Sequence, residues 1–402
     1  MEILKNKKII LGVCGGIAAY KSCFLVRELI KHGAEVRVIM TPAACEFVSP
    51  LTFSTLSRNE VIVNIFPEKK SNTATSTWHI DLALWADLFV IAPATVNTIS
   101  KINYGIADNA LTTLVSARRS PLLIAPAADE DMYNSFENQK NINDLKLKGV
   151  FFTEAEYGEL ASGLTGFGRM AEVDEILNHI KKILSGYHKD LLKRKILITS
   201  GPTYEPIDVV RFIGNRSSGK MGHALACAAF YRGANVTVIT GPTQLKYPNG
   251  IKVIHVVTAE EMYKAVIQEF KRNEIFISAA AVSDFKPKIV SKSKIKKNSE
   301  KFFIELIQNK DILLEVSKFK KKNQKLIGFS VETENEIENS FEKMKKKKLH
   351  LIIVNNPLEK GAGFEVDTNK ITILRKDGTV KSFPLKFKFD IANDILNEIK
   401  DL

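Results

Sequence analysis

Cysteine is scarce in this chain, and what there is forms no pair. Cys14, Cys23, Cys45 and Cys227 make no C-x-x-C unit and no metal-ligand spacing. That argues against a disulfide framework or a structural zinc site and fits buried thiols in a reducing compartment. No apolar run approaches the length needed to cross a bilayer. The N-terminus "MEILKNKKIILGVCGG" enters a strand at once and lacks the regions of a signal peptide, so a cytoplasmic location with no membrane partner is expected. No G-x-G-x-x-G stands between a strand and a helix, which weighs against a nicotinamide-dependent oxidoreductase. Zinc-finger spacing and aromatic RNA-binding signatures are also missing, so nothing in the motifs supports nucleic-acid binding.

What is abundant is lysine. The 402 residues carry 58 Lys and Arg against 45 Asp and Glu, a net charge of +13. Such a balance reads either as a solvated surface or as attraction to anionic ligands such as phosphates and nucleotides. The length accommodates two domains of ordinary size.

Both halves follow one α/β grammar. "KKIILGVCGGIAAYKSCFLVRELIKHGAEVRVIM" predicts a strand, a glycine turn, an amphipathic helix and a second strand. "RKILITSGPT" and "MGHALACAAFYRGANVTVIT" repeat that order further on. The fold expected is two Rossmann-like three-layer α/β domains, with a polar boundary near residue 188. Ligands of open α/β sheets bind at the carboxyl ends of strands. Attention therefore falls on strand endings such as "DLFVIAPAT", "PLLIAPAA" and "EIFISAAAVSD".

In the first half, Gly15 and Gly16 allow the backbone to approach a ligand at the following helix. "STWHIDLALWAD" sets His79 just before a helix, and Pro93 and Asn97 follow a buried strand. Each is a weak signal alone. In order, "GGIAAYK", His79, "APATVNT", "PAADEDMY" and "GLTGFGRM" resemble the flavin-dependent cysteine decarboxylase family over roughly residues 9–175. The resemblance implies a flavodoxin-like domain that binds FMN through Gly15, Gly16, Ile17, Ala18, Thr41, Pro93, Ala94, Thr95 and Asn97. It implies Asp129, Met132, Arg169 and Met170 as substrate contacts and His79 as the catalytic base or polarising group, a role that suits a group titrating near neutrality. In that family the flavin oxidises the thiol to a thioaldehyde, which accepts the electrons left by carbon dioxide, and later returns the hydride. Two positions depart from the pattern. Asp129 replaces an Asn that contacts the substrate carboxylate, so it is expected to be protonated, shifted or cation-paired. Ser162 replaces a flap Cys to which the last protonation is assigned, and a hydroxyl is a far weaker acid.

In the second half, "GNRSSGKM" (214–221) nearly spells a phosphate-binding loop. Met221 stands where magnesium would need a hydroxyl, and the strand "KILITS" ends some fourteen residues before Gly214, so that reading fails. The longer stretch "GPTYEPIDVVRFIGNRSSGKMG" is similar to the signature of the phosphopantothenate–cysteine ligase family. That resemblance implies Asn215 as the residue holding the acyl-cytidylate and Ser217, Ser218 and Lys220 as substrate contacts. It implies a CTP site made by Ser278, Ala279, Ala280, Asp284, Lys294, Lys310, Asp311, Ile312, Leu313, Phe329, Lys343 and Lys347. Magnesium or manganese is implied with the triphosphate, Asp284 being a possible contact.

Together the resemblances imply a bifunctional chain in coenzyme A biosynthesis. The second half would join 4′-phosphopantothenate to cysteine, and the first would decarboxylate 4′-phosphopantothenoylcysteine to 4′-phosphopantetheine. The expected assembly is a homo-oligomer, with trimeric flavin domains and dimeric ligase domains. The alternative is an active ligase whose flavin-binding half no longer turns over.

Overall fold

The computed structural model describes residues 3–66, 77–185, 189–296, 303–332, 334–356, 358–359, 361–363 and 365–402. The boundary expected near residue 188 lies outside the described residues. The chain divides into two compact units, Glu2–Gly186 and Tyr187–Leu402.

In the first unit, strands β1 (Lys8–Val13), β2 (Glu35–Met40), β3 (Leu88–Ala94), β4 (Leu122–Pro126) and β5 (Phe151–Phe152) make a parallel sheet in the order β2-β1-β3-β4-β5. This is the flavodoxin-like order, whose switch point falls between β1 and β3. The helices are α1 (Ala19–Lys31), α2 (Pro50–Ser57), α3 (Trp78–Trp85), α4 (Val96–Tyr104), α5 (Ala110–Ala117), α6 (Glu130–Asn134), α7 (Phe136–Leu147) and α8 (Val173–Leu184). Ile9, Leu11 and Val13 of β1 pack with Leu25 and Leu29 of α1 in one core cluster. Ile10 packs with Leu111 and Leu114 of α5 in the other. A strand buried on both faces needs an unbroken apolar run, which is why "IILGV" does not alternate. A hairpin of β6 (Glu156–Glu159) and β7 (Thr165–Arg169) stands apart from the sheet's hydrogen bonding.

The second unit has a larger sheet built on the same plan. Its strands are β8 (Lys195–Ser200), β9 (Tyr204–Pro206), β10 (Phe212–Gly214), β11 (Asn235–Thr240), β12 (Lys252–His255), β13 (Ile275–Ser278), β14 (Phe285–Pro287), β15 (Leu306–Gln308), β16 (Lys325–Val331), β17 (Leu351–Asn355), β18 (Thr368–Arg375) and β19 (Val380–Phe387). Eight of them order as β12-β11-β8-β13-β16-β17-β18-β19, and every pairing is parallel except β17 with β18 and β18 with β19, which are antiparallel. The helices are α9 (Lys220–Tyr231), α10 (Ala259–Phe270), α11 (Ile312–Phe319), α12 (Glu336–Lys346) and α13 (Lys388–Lys400). Between β8 and α9 the chain makes the β9–β10 hairpin, with Tyr204 stacked on Phe212 at 3.9 Å. The "GNRSSGKM" stretch therefore opens α9 after a hairpin, which a strand-to-helix phosphate loop does not.

Candidate functional site

In the first unit, three neighbouring strands end at one edge of the sheet: β1 runs into Gly15 and Gly16, β2 into Thr41, and β3 into Thr95. Gly15 is required by space. A Cβ there would lie 2.6 Å from Ala43 Cβ and 2.7 Å from the Ala43 carbonyl atoms. A Cβ on Gly16 would meet nothing within 4 Å, so this turn presents open space. Ile17 is exposed, and Ala18 precedes α1 as its cap residue. Thr41 donates its N–H to the Val13 carbonyl at 3.0 Å, yet its buried hydroxyl has no hydrogen-bond partner. Pro93 and Ala94 are buried. Thr95 caps α4 by accepting from Thr98 N at 3.4 Å, and Asn97 is exposed in that helix's first turn. A cradle with an unpartnered buried hydroxyl beside an open glycine turn fits a polar ligand such as FMN.

His79 lies inside α3, one residue after Trp78, where the sequence had suggested a position just before the helix. The helix begins two residues earlier, at Trp78, which meets the imidazole edge-on at 5.6 Å. Because α3 runs back before β3, its first turn falls at the carboxyl edge of the sheet, the edge that also carries Thr95.

The two departures from the family pattern touch each other. Ser162, at the tip of the β6–β7 hairpin, donates its hydroxyl to Asp129 Oδ2 at 2.5 Å. Asp129 precedes α6 just after β4, and its hydrogen-bond partner there is the Ser162 hydroxyl. The hairpin is held there at two further points. Ala128 N donates to the Gly168 carbonyl at 3.0 Å, and Phe167 N to Glu130 Oε1 at 3.4 Å. Gly168, at φ +147°, has Ala128 O only 2.2 Å from where a Cβ would stand. Met170 is buried, Met132 is 56% exposed on α6, and Arg169 pairs with Glu172 at 3.4 Å.

In the second unit a cleft of about 490 Å³ opens at the carboxyl ends of β13 and β16 and the start of α9. Asn215, Ser217, Ser218 and Lys220 line it, as do Ser278, Ala279, Ala280 and Asp284 after β13, Lys310 to Leu313 at α11, Phe329, Lys343 and Lys347. Asn215 donates its amide to the carbonyls of Ala281 (3.3 Å) and Val282 (3.1 Å), which ties the signature loop to the β13 ending. Gly219, at φ +72°, caps α9, and its carbonyl accepts from Ser200 Oγ at 3.1 Å. Lys343 donates to the Phe329 carbonyl and Ser330 Oγ, both at 3.2 Å. Burial, reinforced by the Lys347 charge, pushes its ammonium pKa down. Lys347, the C-cap that follows α12, pairs with Asp311 at 2.7 Å. Lys310 lies over the Tyr263 ring at 4.5 Å.

Lys294 is exposed and is not among the residues lining this cleft. The strap that carries it is pinned from the side. Asp208 accepts from Val210 N and Arg211 N (both 2.8 Å) and from Ile295 N (3.1 Å), and Arg211 Nη2 donates to the Ile295 carbonyl at 2.9 Å. The Arg211 guanidinium beside it holds the Asp208 carboxyl well below the usual carboxylate range. The Asp208 and Arg211 of the signature thus organise a loop. Sequence reasoning passed over Asn309, Asn369 and Lys388, which also line the cleft. A buried Asn in the strand "TNKITIL" was the available signal for Asn369. Lys388 had none among so many lysines. Among the described residues no group of three or more His, Cys, Asp or Glu is arranged to hold a metal ion, and no helix is long and apolar enough to cross a membrane.

Two family models divide the chain: Flavoprotein matches residues 2–185, and the DNA/pantothenate metabolism flavoprotein C-terminal domain matches residues 191–402. Over all 402 residues the chain is 44% identical to the coenzyme A biosynthesis bifunctional protein CoaBC of Bacillus subtilis (strain 168), spanning 98% of that protein. The chain belongs to the coenzyme A biosynthesis bifunctional protein family. It is a bifunctional enzyme, with a flavoprotein decarboxylase half followed by a ligase half. Full-length membership does not favour the reading in which only the ligase half turns over. The chain is also 46% identical to a cysteine/cysteine sulfinic acid decarboxylase from an unknown prokaryotic organism, over 88% of this chain and 99% of that protein. A crystal structure of the C-terminal domain of a CoaBC protein matches 53% of this chain and 96% of its own, at 38% identity and a TM-score of 0.46.

Proposed function

We propose that the second unit joins 4′-phosphopantothenate to cysteine at the expense of CTP, and that the first decarboxylates 4′-phosphopantothenoylcysteine to 4′-phosphopantetheine. The observation that carries the ligase reading is the cleft itself, where the signature residues Asn215 to Lys220 and the β13 ending face lysines Lys343 and Lys347. In this reading the small residues Ser278 to Ala280, with Phe329, take the nucleotide's base and sugar. Lys343 and Lys347 neutralise its phosphates, and Lys294 reaches the triphosphate from the pinned strap. Charge stabilisation at the transferring phosphoryl group is the main help an enzyme gives this chemistry. Asn215 holds the activated acyl group while the cysteine amine displaces CMP. Magnesium or manganese would enter with the nucleotide, Asp284 being the residue of this cleft that would face it, and would supply charge neutralisation at the phosphates.

In the first unit Gly15 to Ala18, Thr41, Pro93 to Thr95 and Asn97 would hold FMN, with the Thr41 hydroxyl gaining the partner it lacks. The bound flavin supplies a reversible two-electron acceptor for the thiol-bearing carbon. His79 holds or moves a proton beside the substrate thiol, and the hairpin tip, latched by Ser162 to Asp129, excludes water. Met132, Arg169 and Met170 complete the substrate contacts in this reading. We also read the protein as cytoplasmic and as a homo-oligomer, with flavoprotein units in trimers and ligase units in dimers. The exposed Ile17, Tyr20 and Phe24 on and beside α1 support an assembled flavoprotein unit.

The nucleotide assignment is tested by supplying CTP, ATP, GTP and UTP in turn with magnesium, 4′-phosphopantothenate and cysteine. CTP should give amide, CMP and pyrophosphate in equal amounts. Equal turnover with ATP, or release of a nucleoside diphosphate, would overturn it.

A further inference from the structure

Lys388 is the first residue of α13, lines the ligase cleft, and is only 7% exposed. Its Nζ donates to the carbonyl of Gly363 at 3.2 Å and to that of Val366, and its own N–H donates to the Asp367 carbonyl at 2.8 Å. Lys388 thereby holds three backbone carbonyls that precede β18. Lys220, the first residue of α9, meets the same segment. Its Nζ donates to the Glu365 carbonyl and to Asp367 Oδ1, both at 2.7 Å. Two ammonium groups therefore converge on one short stretch, where the Asp367 carboxylate pairs with Lys220 and its charge also acts on Lys388.

Burying a lysine is costly, and here the cost is visible. Burial first, then the charge of Lys220, pushes the Lys388 pKa down to about 8. A neutral side chain would fill the space more cheaply, so the position asks for the ammonium donors. The charges acting on Lys388 are Lys220 and Asp367, whereas those acting on Lys343 are Lys347, Glu332, Asp311 and Asp284. The cleft therefore carries two separate cationic groups, held by different elements. A reaction that brings two phosphate-bearing substrates together needs two such groups.

We infer that Lys388 is a positioning residue for the ligase step: it pins Gly363, Val366 and Asp367, and Glu365 and Asp367 hold Lys220 against the cleft as the anchor for the phosphate of the acid substrate. Lys343 and Lys347 serve the nucleotide. This rests on the ligase reading given above.

The test uses the full-length protein with saturating magnesium, varying 4′-phosphopantothenate, CTP and cysteine in turn. The wild type is assayed first, and failure to form amide would overturn the ligase reading and this inference with it. With an active wild type, Lys388→Met should raise the KM for 4′-phosphopantothenate about tenfold while the KM for CTP stays within about twofold. Lys220→Met should do the same, and the double variant should be no worse than Lys220→Met alone, because one residue acts through the other. Asp367→Asn loosens Lys220 from the exposed side of the segment and should reproduce the selective effect if Lys388→Met does not fold. An unchanged KM for the acid, a rise confined to CTP or to cysteine, or effects of Lys388 and Lys220 that multiply would each overturn the inference. A rise confined to cysteine would reassign the group to the amino acid's carboxylate.

Discussion

Two adjacent glycines offer the sharpest test of the flavin cradle, because they should fail in different ways. Ordinary van der Waals contact of a Cβ begins near 3.4 Å, yet at Gly15 it would stand 2.6–2.7 Å from three Ala43 atoms, two of them backbone. Relieving this requires one turn to move by close to an ångström. Overpacking of that kind costs ~1–3 kcal/mol. For a unit of this size each kcal/mol lowers Tm by about 2–4 °C. Gly15→Ala should therefore lower the Tm of the flavin-free flavoprotein unit by roughly 2–12 °C. Gly16→Ala puts its methyl into open space and should leave that Tm within about 1 °C. If the open space is where the flavin lies, the same methyl should weaken FMN binding about tenfold. The assays are thermal melting of flavin-free protein and titration with FMN followed by flavin fluorescence. Wild-type FMN affinity in Gly16→Ala would refute the placement of the flavin. An unchanged Tm in Gly15→Ala would refute the packing argument.

Three further outcomes are expected. His79→Asn should abolish carbon dioxide release while the protein stays yellow, and persisting decarboxylation would make His79 structural. Ser162→Ala removes a hydrogen bond to a carboxylate at an accessible tip, worth ~1 kcal/mol, so hydrogen exchange across residues 160–166 should speed up about fivefold. Unchanged exchange there would contradict the latch. His350 accepts from Leu326 N at 3.0 Å, and burial, with Lys320 and Lys325 nearby, pushes its pKa down from 6.5 to about 4. The unfolded chain thus takes up the proton first, so this contribution is complete above pH 6.5 and is lost as pH falls through about 4. At most ~3 kcal/mol is involved. His350→Gln should flatten the acid dependence of the second unit's thermal transition over that range, and an unaltered slope would show that other groups dominate.

Much of the architecture was legible because doubly wound sheets write themselves as unbroken apolar strands ending in small residues. "KIILGV", "LFVIAPA" and "KILITS" gave both sheets and the edge on which chemistry gathers. The signature around Asn215 was equally open, since its residues are consecutive. What stayed hidden depends on contacts across long separations. Asp129 and Ser162 each looked like a departure on its own, and only the hairpin's fold brings residues 33 apart into one hydrogen bond. Asp208 and Arg211 stood in the sequence only as positions of the signature, with no role attached, and the fold spends their charges on holding the Ile295 backbone. Lys388 could not be singled out, because burial, and not type, distinguishes it from its many neighbours. Lys294 had only its register to recommend it, and its place on an exposed strap beside the cleft is not something register reveals.

The central claim is that one chain performs two consecutive steps, and one reaction mixture tests it. Purified protein would be incubated with FMN, 4′-phosphopantothenate, cysteine, CTP and magnesium, and the products followed by mass spectrometry. The account predicts 4′-phosphopantothenoylcysteine appearing first and 4′-phosphopantetheine accumulating at its expense, with Ser162 and Asp129 in place. Accumulation that stops at 4′-phosphopantothenoylcysteine, or no amide at all, would contradict it.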